Sequence, residues 1–512
     1  MPVLIGEPLT FDDVLKVAQA GERVELSEPA RTRISQARQV VDETVASGET
    51  VYGVTTGFGG LANIRIPANE AIRLQQDIVR SHATAVGPRL STETVRAMML
   101  LKARTFGFGI SGIRCEVLET ILALLNAGIH PVVPSQGSLG ASGDLAQLAH
   151  LALPVIGEGK VEYAGQVMDS ADALRRAGIQ PLELSYKEGL ALVNGTEGML
   201  AIGILTLAAG RVLARSADIT GAMSVEACLG TDRVFDERLI QLRKHRGAQI
   251  VAANLRRVLA GSEIVASHRD SDHLVQDAYS LRCMPQVHGA YRDGLAYVDS
   301  VLQLEMESAV DNPSVLSETG EMRSSGNFHG ESLAIALDHM GLCLAGFGTI
   351  AERRIARMVD PNLSNGLPAF LTEDAGRRSG FMLAHYTAAA LVVEDRALTF
   401  PVSSDSISTS AGQEDHVSMG FTAAQRAARI LVNARNVIAI EALGAAQALE
   451  MRRPLEPAAG TRAVADVVRS VSGYLAEDRP LSEEIEAAAK LIETDTLVQA
   501  AEAVIGPLDR AP

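Results

Sequence analysis

Three long intervals of this 512-residue chain contain no proline: 182–284, 314–360 and 402–453. Proline removes a backbone donor and clashes with the preceding turn, so it breaks helix interiors; intervals this long without one leave room for unusually long helices. Inside the second interval, Leu333, Leu337, Met340, Leu344, Phe347, Ile350 and Ile355 recur mostly three and four residues apart, which predicts a helix over 331–358. Arg353, Arg354 and Arg357 crowd its end, where cations suit the helix dipole, and Asp360-Pro361-Asn362 stops it. Another helix is expected over 422–452, and 93–127 and 196–230 read the same way. Strand signals are few: Val132-Val133, and Lys160-Val-Glu-Tyr163, which opens a small hairpin turning at Ala164-Gly165. The expected fold is therefore mainly α, a long-helix bundle core over 201–512 with a smaller N-terminal domain over 1–200.

Composition narrows the function classes. Trp is absent and aromatic residues are only 4% of the chain, so the core must be aliphatic, which suits helices. With 46 Lys and Arg against 62 Asp and Glu, the net charge is -16, and such a surface repels phosphate backbones; no nucleic-acid partner is expected. The four cysteines lie far apart and form no CxxC pair, which points to reduced thiols rather than disulfides or a zinc knuckle. No basic stretch followed by an apolar run opens the sequence, and no 18-residue charge-free apolar segment occurs. A cytoplasmic protein with no membrane partner is expected. The His268-Arg-Asp-Ser-Asp-His273 stretch has no standard ligand spacing and reads as a solvated loop; no metal is expected.

Five Gly-rich or polar stretches interrupt the helical background: 52–60, 135–144, 276–289, 324–330 and 404–416. Loops carried on rigid helices are where catalytic groups tend to sit. The most informative is Ser138-Leu-Gly-Ala-Ser-Gly-Asp-Leu-Ala146. If the Gly143 amide nitrogen attacks the Ala141 carbonyl, a five-membered ring closes. Loss of two waters, one taking the Ser142 hydroxyl, then leaves an exocyclic methylene conjugated to the ring. Glycine permits the compact backbone, alanine adds little bulk, and serine supplies the leaving hydroxyl. Asp144 either assists proton movements or caps a helix beginning at Leu145. The same letters also describe a plain turn feeding a helix. A nucleophile elbow is ruled out, since Asp144 stands where that motif needs glycine.

With its flanks, this stretch resembles the prosthetic-group segment of the aromatic amino acid ammonia-lyases and aminomutases. The resemblance extends over roughly residues 10–455 and rests on further motifs in the same order: Tyr52-Gly-Val-Thr-Thr-Gly-Phe-Gly-Gly60, Asn194-Gly195-Thr196, Gln276-Asp-Ala-Tyr-Ser-Leu-Arg-Cys283, Asp311-Asn-Pro313 and Gly326-Asn-Phe-His-Gly330. It implies a 4-methylidene-imidazol-5-one (MIO) formed from Ala141-Ser142-Gly143, with no external cofactor. It also implies a homotetramer in which each active site draws loops from three chains. Tyr52 is then the catalytic base, and Tyr279 orients prosthetic group and amine. Arg282 binds the substrate carboxylate through its guanidinium fork. Asn194 and Gln276 hydrogen-bond prosthetic carbonyl or substrate, and Phe328 lines the pocket. Four of them have bland alternatives: a loop anchor for Tyr52, simple packing for Tyr279, a structural ion pair for Arg282 and core packing for Phe328.

Within the family, Ser81-His82 and the Glu414 of Gln413-Glu-Asp-His-Val-Ser418 are typical of the lyases that act on histidine. A carboxylate accepts a hydrogen bond from an imidazole N–H, whereas a phenyl ring offers it no partner. Elimination of ammonia from L-histidine to trans-urocanate is the favoured expectation. The alternatives are a tyrosine or phenylalanine lyase or aminomutase, and a non-catalytic helical scaffold whose Ala-Ser-Gly never cyclises. Gln147 and His288 depart from the family pattern, and His288 is expected near the pocket, where it would alter substrate preference.

Overall fold

The computed structural model describes residues 2–271 and 274–509; Asp272 and His273, which end the loop discussed above, lie outside the described residues. The chain forms two compact units. One comprises residues 1–205, 300–337 and 401–425, the other 206–299, 338–400 and 426–512.

Helices dominate, and the proline-free intervals hold the long ones: Glu197–Ala227, Glu331–Val359 and Gly420–Met451. The first two are apolar and long enough by composition to cross a membrane, but 72% of each apolar window is buried, as in core helices. The expected helix over 93–127 is instead two, Thr92–Gly107 and Cys115–Asn126. Gly109 and Gly112 between them take left-handed φ of 74° and 67°. A Cβ there would strike the Glu28–Ser47 helix, 2.6 Å from Arg33 and 2.4 Å from Val41, so close approach of that helix forces the break. Thr92–Gly107 starts at Ser91, whose hydroxyl accepts from Thr94 N–H at 3.2 Å, and is buried from Thr94 onward, which explains its lack of a polar face.

The hairpin forms as expected, with Lys160–Tyr163 pairing antiparallel to Gln166–Asp169. Ala164 and Gly165 both have positive φ, the requirement of the turn type that matches strand twist. Val132-Val133 is not a strand of its own. It joins two short ones, His130–Pro131 and Pro134–Gln136, because the valines serve different partners: Val132 N–H donates to Lys160, and the Val133 carbonyl accepts from Leu90.

In the second unit the sequence reading of Arg354 needs correction. It does not stand in the last turn of its helix, where cations suit the dipole. It is fully buried and paired with Glu441, which also accepts from Thr220 and Ser224 at 2.8 and 2.7 Å. His288 belongs to the same buried group. Its Nδ1 lies 2.8 Å from Asp218, its Nε2 lies 3.4 Å from Arg354, and Arg292 pairs with Asp218 at 2.6 Å. Burial works against the Asp218 carboxylate, yet Arg292 and His288 hold it below its usual range. Two acids and two arginines thus cancel around a histidine that burial keeps neutral. His288 is a core residue of this unit rather than a pocket residue.

Candidate active site

The Ala-Ser-Gly stretch folds as a tight turn. Gly143 N–H donates to the Gly140 carbonyl at 3.3 Å, and Ser142 takes a φ of 48°, a conformation costly for a residue with a side chain. The turn is clamped against the Asn194-Gly195-Thr196 segment from both sides: Gly195 N–H donates to the Ser142 carbonyl at 3.1 Å, and Asp144 N–H donates to the Gly195 carbonyl at 2.7 Å. The fit leaves no room at Gly143, where a Cβ would lie 1.9 Å from the Gly195 oxygen. Gly143→Ala is accordingly expected to lose about 2 kcal/mol or more of stability and to keep the turn from its compact geometry; thermal unfolding with peptide mass mapping checks both effects.

Asp144 does not cap the helix that follows it. Its fully buried carboxylate accepts from Met199 N–H at 2.8 Å and from the Ser138 hydroxyl at 3.1 Å, so it caps the start of Glu197–Ala227 instead. Burial pushes its pKa up to about 7, against those hydrogen bonds.

Ser142 opens into a cavity of about 640 Å³ whose lining belongs entirely to the first unit and includes Tyr52, His82, Asn194, Ser410 and Glu414. Four other stretches meet the Ser142 turn there for identifiable reasons. The Tyr52 loop is held by Gln75, a fully buried side chain that donates to the Gly53 carbonyl and accepts from Leu190 N–H. The Tyr52 hydroxyl oxygen accepts from Gly59 N–H at 3.1 Å. Gly60 N–H in turn donates to Ser410 at 2.9 Å, which ties the loop to the segment carrying Glu414. His82 ends helix Ala68–His82, with the Ser81 hydroxyl 3.1 Å from its Nδ1. Burial lowers its pKa against the Ile78 carbonyl and a smaller pull from Glu414, which favours the neutral imidazole.

Asn194 is buried and lines the cavity, and its amide donates to the Asn312 carbonyl at 2.8 Å and to Asp311 at 3.3 Å. Those contacts give the Asp-Asn-Pro motif a structural purpose. Phe328 belongs to the same unit and is half-buried, but it is not part of the cavity lining. Gln276, Tyr279 and Arg282 belong to the second unit. Gln276 is exposed, Tyr279 is 72% exposed, and the Arg282 guanidinium lies over the Tyr279 ring at 4.7 Å. Arg282 Nε is buried with no hydrogen-bond partner among the described residues.

Sequence reasoning missed Gln75, Ser410 and three members of a buried group behind the turn, Lys102, Lys187 and Glu197, which gather with Asp311 of the Asp-Asn-Pro motif. Gln75 stands six and seven residues before Ser81-His82, on the same helix, and no local pattern marks it. Lys102 carries one available signal, a lysine directly after the apolar run Met98-Met-Leu-Leu101; Lys187, between Tyr186 and Glu188, carries none.

The sequence profile described as aromatic amino acid lyase matches residues 9–470. A protein of Sorangium cellulosum (strain So ce56) named histidine ammonia-lyase is 48% identical over 515 residues, covering 99% of this chain and all of that one. Among solved structures, histidine ammonia-lyase from Trypanosoma cruzi superposes with a TM-score of 0.90 at 40% identity, covering 100% of this chain and 96% of that one. Tyrosine aminomutase from Streptomyces globisporus gives 0.93 at 35% identity, covering 98% and 99%.

Proposed function

The chain belongs to the aromatic amino acid lyase family, and from that premise we propose that it is an ammonia-lyase eliminating ammonia from L-histidine to give trans-urocanate, with Ala141-Ser142-Gly143 cyclised to MIO. One observation carries this reading: a single cavity brings Ser142 of the tight turn together with Tyr52, His82, Asn194 and Glu414. The residues present fit the prosthetic group. The turn is already bent at Ser142, and Gly143 is packed where no side chain is tolerated.

When formed, MIO supplies an electron-poor alkene that makes the amino acid easier to break. The rest is work for side chains. Tyr52 is the base that takes the β-proton on its phenolic oxygen, the atom that faces Gly59 N–H. Glu414 accepts the imidazole N–H of the substrate, and neutral His82 holds the other side of that ring. Asn194 fixes the wall of the cavity beside the turn.

The carboxylate of the substrate is assigned to Arg282, with Gln276, Tyr279 and Phe328 completing the pocket from other copies of the chain in a homotetramer. What supports this is the exposure of Tyr279 and the unpartnered, buried Arg282 Nε. The same assembly would cover apolar side chains on long helices, such as Leu304, Leu342, Tyr386 and Val393. Four free thiols support a cytoplasmic setting.

The test is a panel of L-histidine, L-tyrosine and L-phenylalanine with products resolved into urocanate, cinnamates and β-amino acids. Histidine consumed to urocanate and ammonia is expected; inert histidine with turnover of either other substrate contradicts the reading. The second reading, an aminomutase, draws on the similarity to tyrosine aminomutase, and a β-amino acid product would establish it. In the same assay Glu414→Gln is expected to lower kcat/KM for histidine roughly 10- to 100-fold, the effect of weakening one charge-assisted hydrogen bond.

A further inference from the structure

A buried ammonium stands behind the reactive turn, and the elimination chemistry makes no use of it. Lys102, on helix Thr92–Gly107, is 1% exposed, and its Nζ donates to the Asn194 carbonyl oxygen. That carbonyl and Gly195 N–H are the two ends of one peptide group. Gly195 N–H donates to the Ser142 carbonyl at 3.1 Å, and that carbonyl shares its own peptide group with the Gly143 nitrogen. A continuous chain therefore runs from the Lys102 ammonium through two peptide groups to the atom that must attack Ala141.

The chemistry of ring closure states what such a chain is good for. An amide nitrogen is a poor nucleophile because its lone pair is delocalised onto its carbonyl. Removing its proton places the charge mainly on that oxygen, here the oxygen of Ser142. A donor aimed at this oxygen favours the reactive form, and a cation bound to the far end of the donor's peptide group polarises it and strengthens the donation. We infer that Lys102 is a positioning residue for maturation, activating the Gly143 amide through the Asn194–Gly195 peptide group. The inference rests on the reading that Ala141-Ser142-Gly143 cyclises.

The step balances without any oxidant. A bond forms between Gly143 N and the Ala141 carbonyl carbon, and the Gly143 proton passes to the Ala141 oxygen. That oxygen leaves as water with the Ser142 N–H proton, and the Ser142 hydroxyl leaves as water with the Ser142 Cα proton. Simple charge pairing does not account for Lys102 as well. Glu197 Oε1 is 3.5 Å from its Nζ and already accepts from Thr105 at 2.8 Å.

The test follows ring closure directly, by intact mass against time in full-length chain made by cell-free translation. Lys102→Met is expected to lose its two waters at least about tenfold more slowly than the wild type. Because the variant strands the Glu197 carboxylate, Lys102→Met/Glu197→Gln is measured beside it and is expected to be equally slow while folding normally by circular dichroism. In both variants maturation should accelerate with rising pH more steeply than in the wild type, since hydroxide then removes the amide proton unaided; a packing role would leave that slope unchanged. Wild-type maturation rates in the double variant, or a slow variant with the wild-type pH slope, overturn the inference. A wild-type chain that never loses water would instead overturn the underlying reading of the tripeptide, and this proposal with it.

Discussion

Ser142→Ala is expected to fold like the wild type and to turn over L-histidine at least on the order of a thousandfold more slowly. The size of the effect follows from what the side chain does. The β-proton of histidine is barely acidic and ammonia is a poor leaving group, so Tyr52, Glu414 and Arg282, in the roles proposed for them, would hold the substrate without giving it a path to eliminate. Alanine lacks the hydroxyl whose departure creates the alkene, so the loss should fall on kcat, with the KM for histidine little changed. Retained affinity is itself part of the expectation, because the cavity lining otherwise stays the same. Folding should survive, since among the described residues the Ser142 hydroxyl makes no hydrogen bond; the turn is held by backbone, Gly143 N–H to Gly140 and Gly195 N–H to Ser142. Steady-state kinetics and thermal unfolding on one preparation check both halves.

The second large effect concerns stability. Arg354→Met should destabilise the second unit by roughly 3–5 kcal/mol, because it strands the fully buried Glu441 carboxylate with only the Thr220 and Ser224 hydroxyls as partners. Removing both charges, as Arg354→Met/Glu441→Met, should recover most of that loss, since well-packed apolar side chains replace a buried pair at little cost. The pair does not stand alone. Arg354 also lies 3.4 Å from His288, which bonds to Asp218, so Glu441→Gln should perturb His288 as well. A thermal-unfolding double-mutant cycle measures this; additive losses would show that the two side chains act independently.

How much of this was legible in the sequence depends on how local each feature is. The helix over Glu331–Val359 follows from spacings of three and four, and Asp360-Pro361 marks its end within the chain itself. The split between Thr92–Gly107 and Cys115–Asn126 was not legible, because Gly109 and Gly112 break the helix only where the Glu28–Ser47 helix approaches, a tertiary event. The same distinction divides the site. The proposed cyclisation of Ala141-Ser142-Gly143 lies in consecutive letters, and the candidates Tyr52, His82 and Glu414 are carried by short motifs. Asp144 reads as the cap of its own helix, yet it caps one that begins more than fifty residues later, and no local pattern encodes that choice. Lys102 looks like a stray charge beside an apolar run, and Glu197 like the residue that merely follows Asn194-Gly195-Thr196, until folding sets them behind the turn. His288 drew interest as a departure near a motif, whereas Asp218 and Arg292 explain it as one member of a compensated core group.

Central to the whole account is the conversion of one tripeptide, and peptide mass mapping of the full-length protein tests it most directly. The fragment containing Ala141-Ser142-Gly143 should weigh two waters less than its sequence requires, with no other fragment altered. A fragment of unmodified mass from a preparation that releases ammonia from histidine would contradict the account.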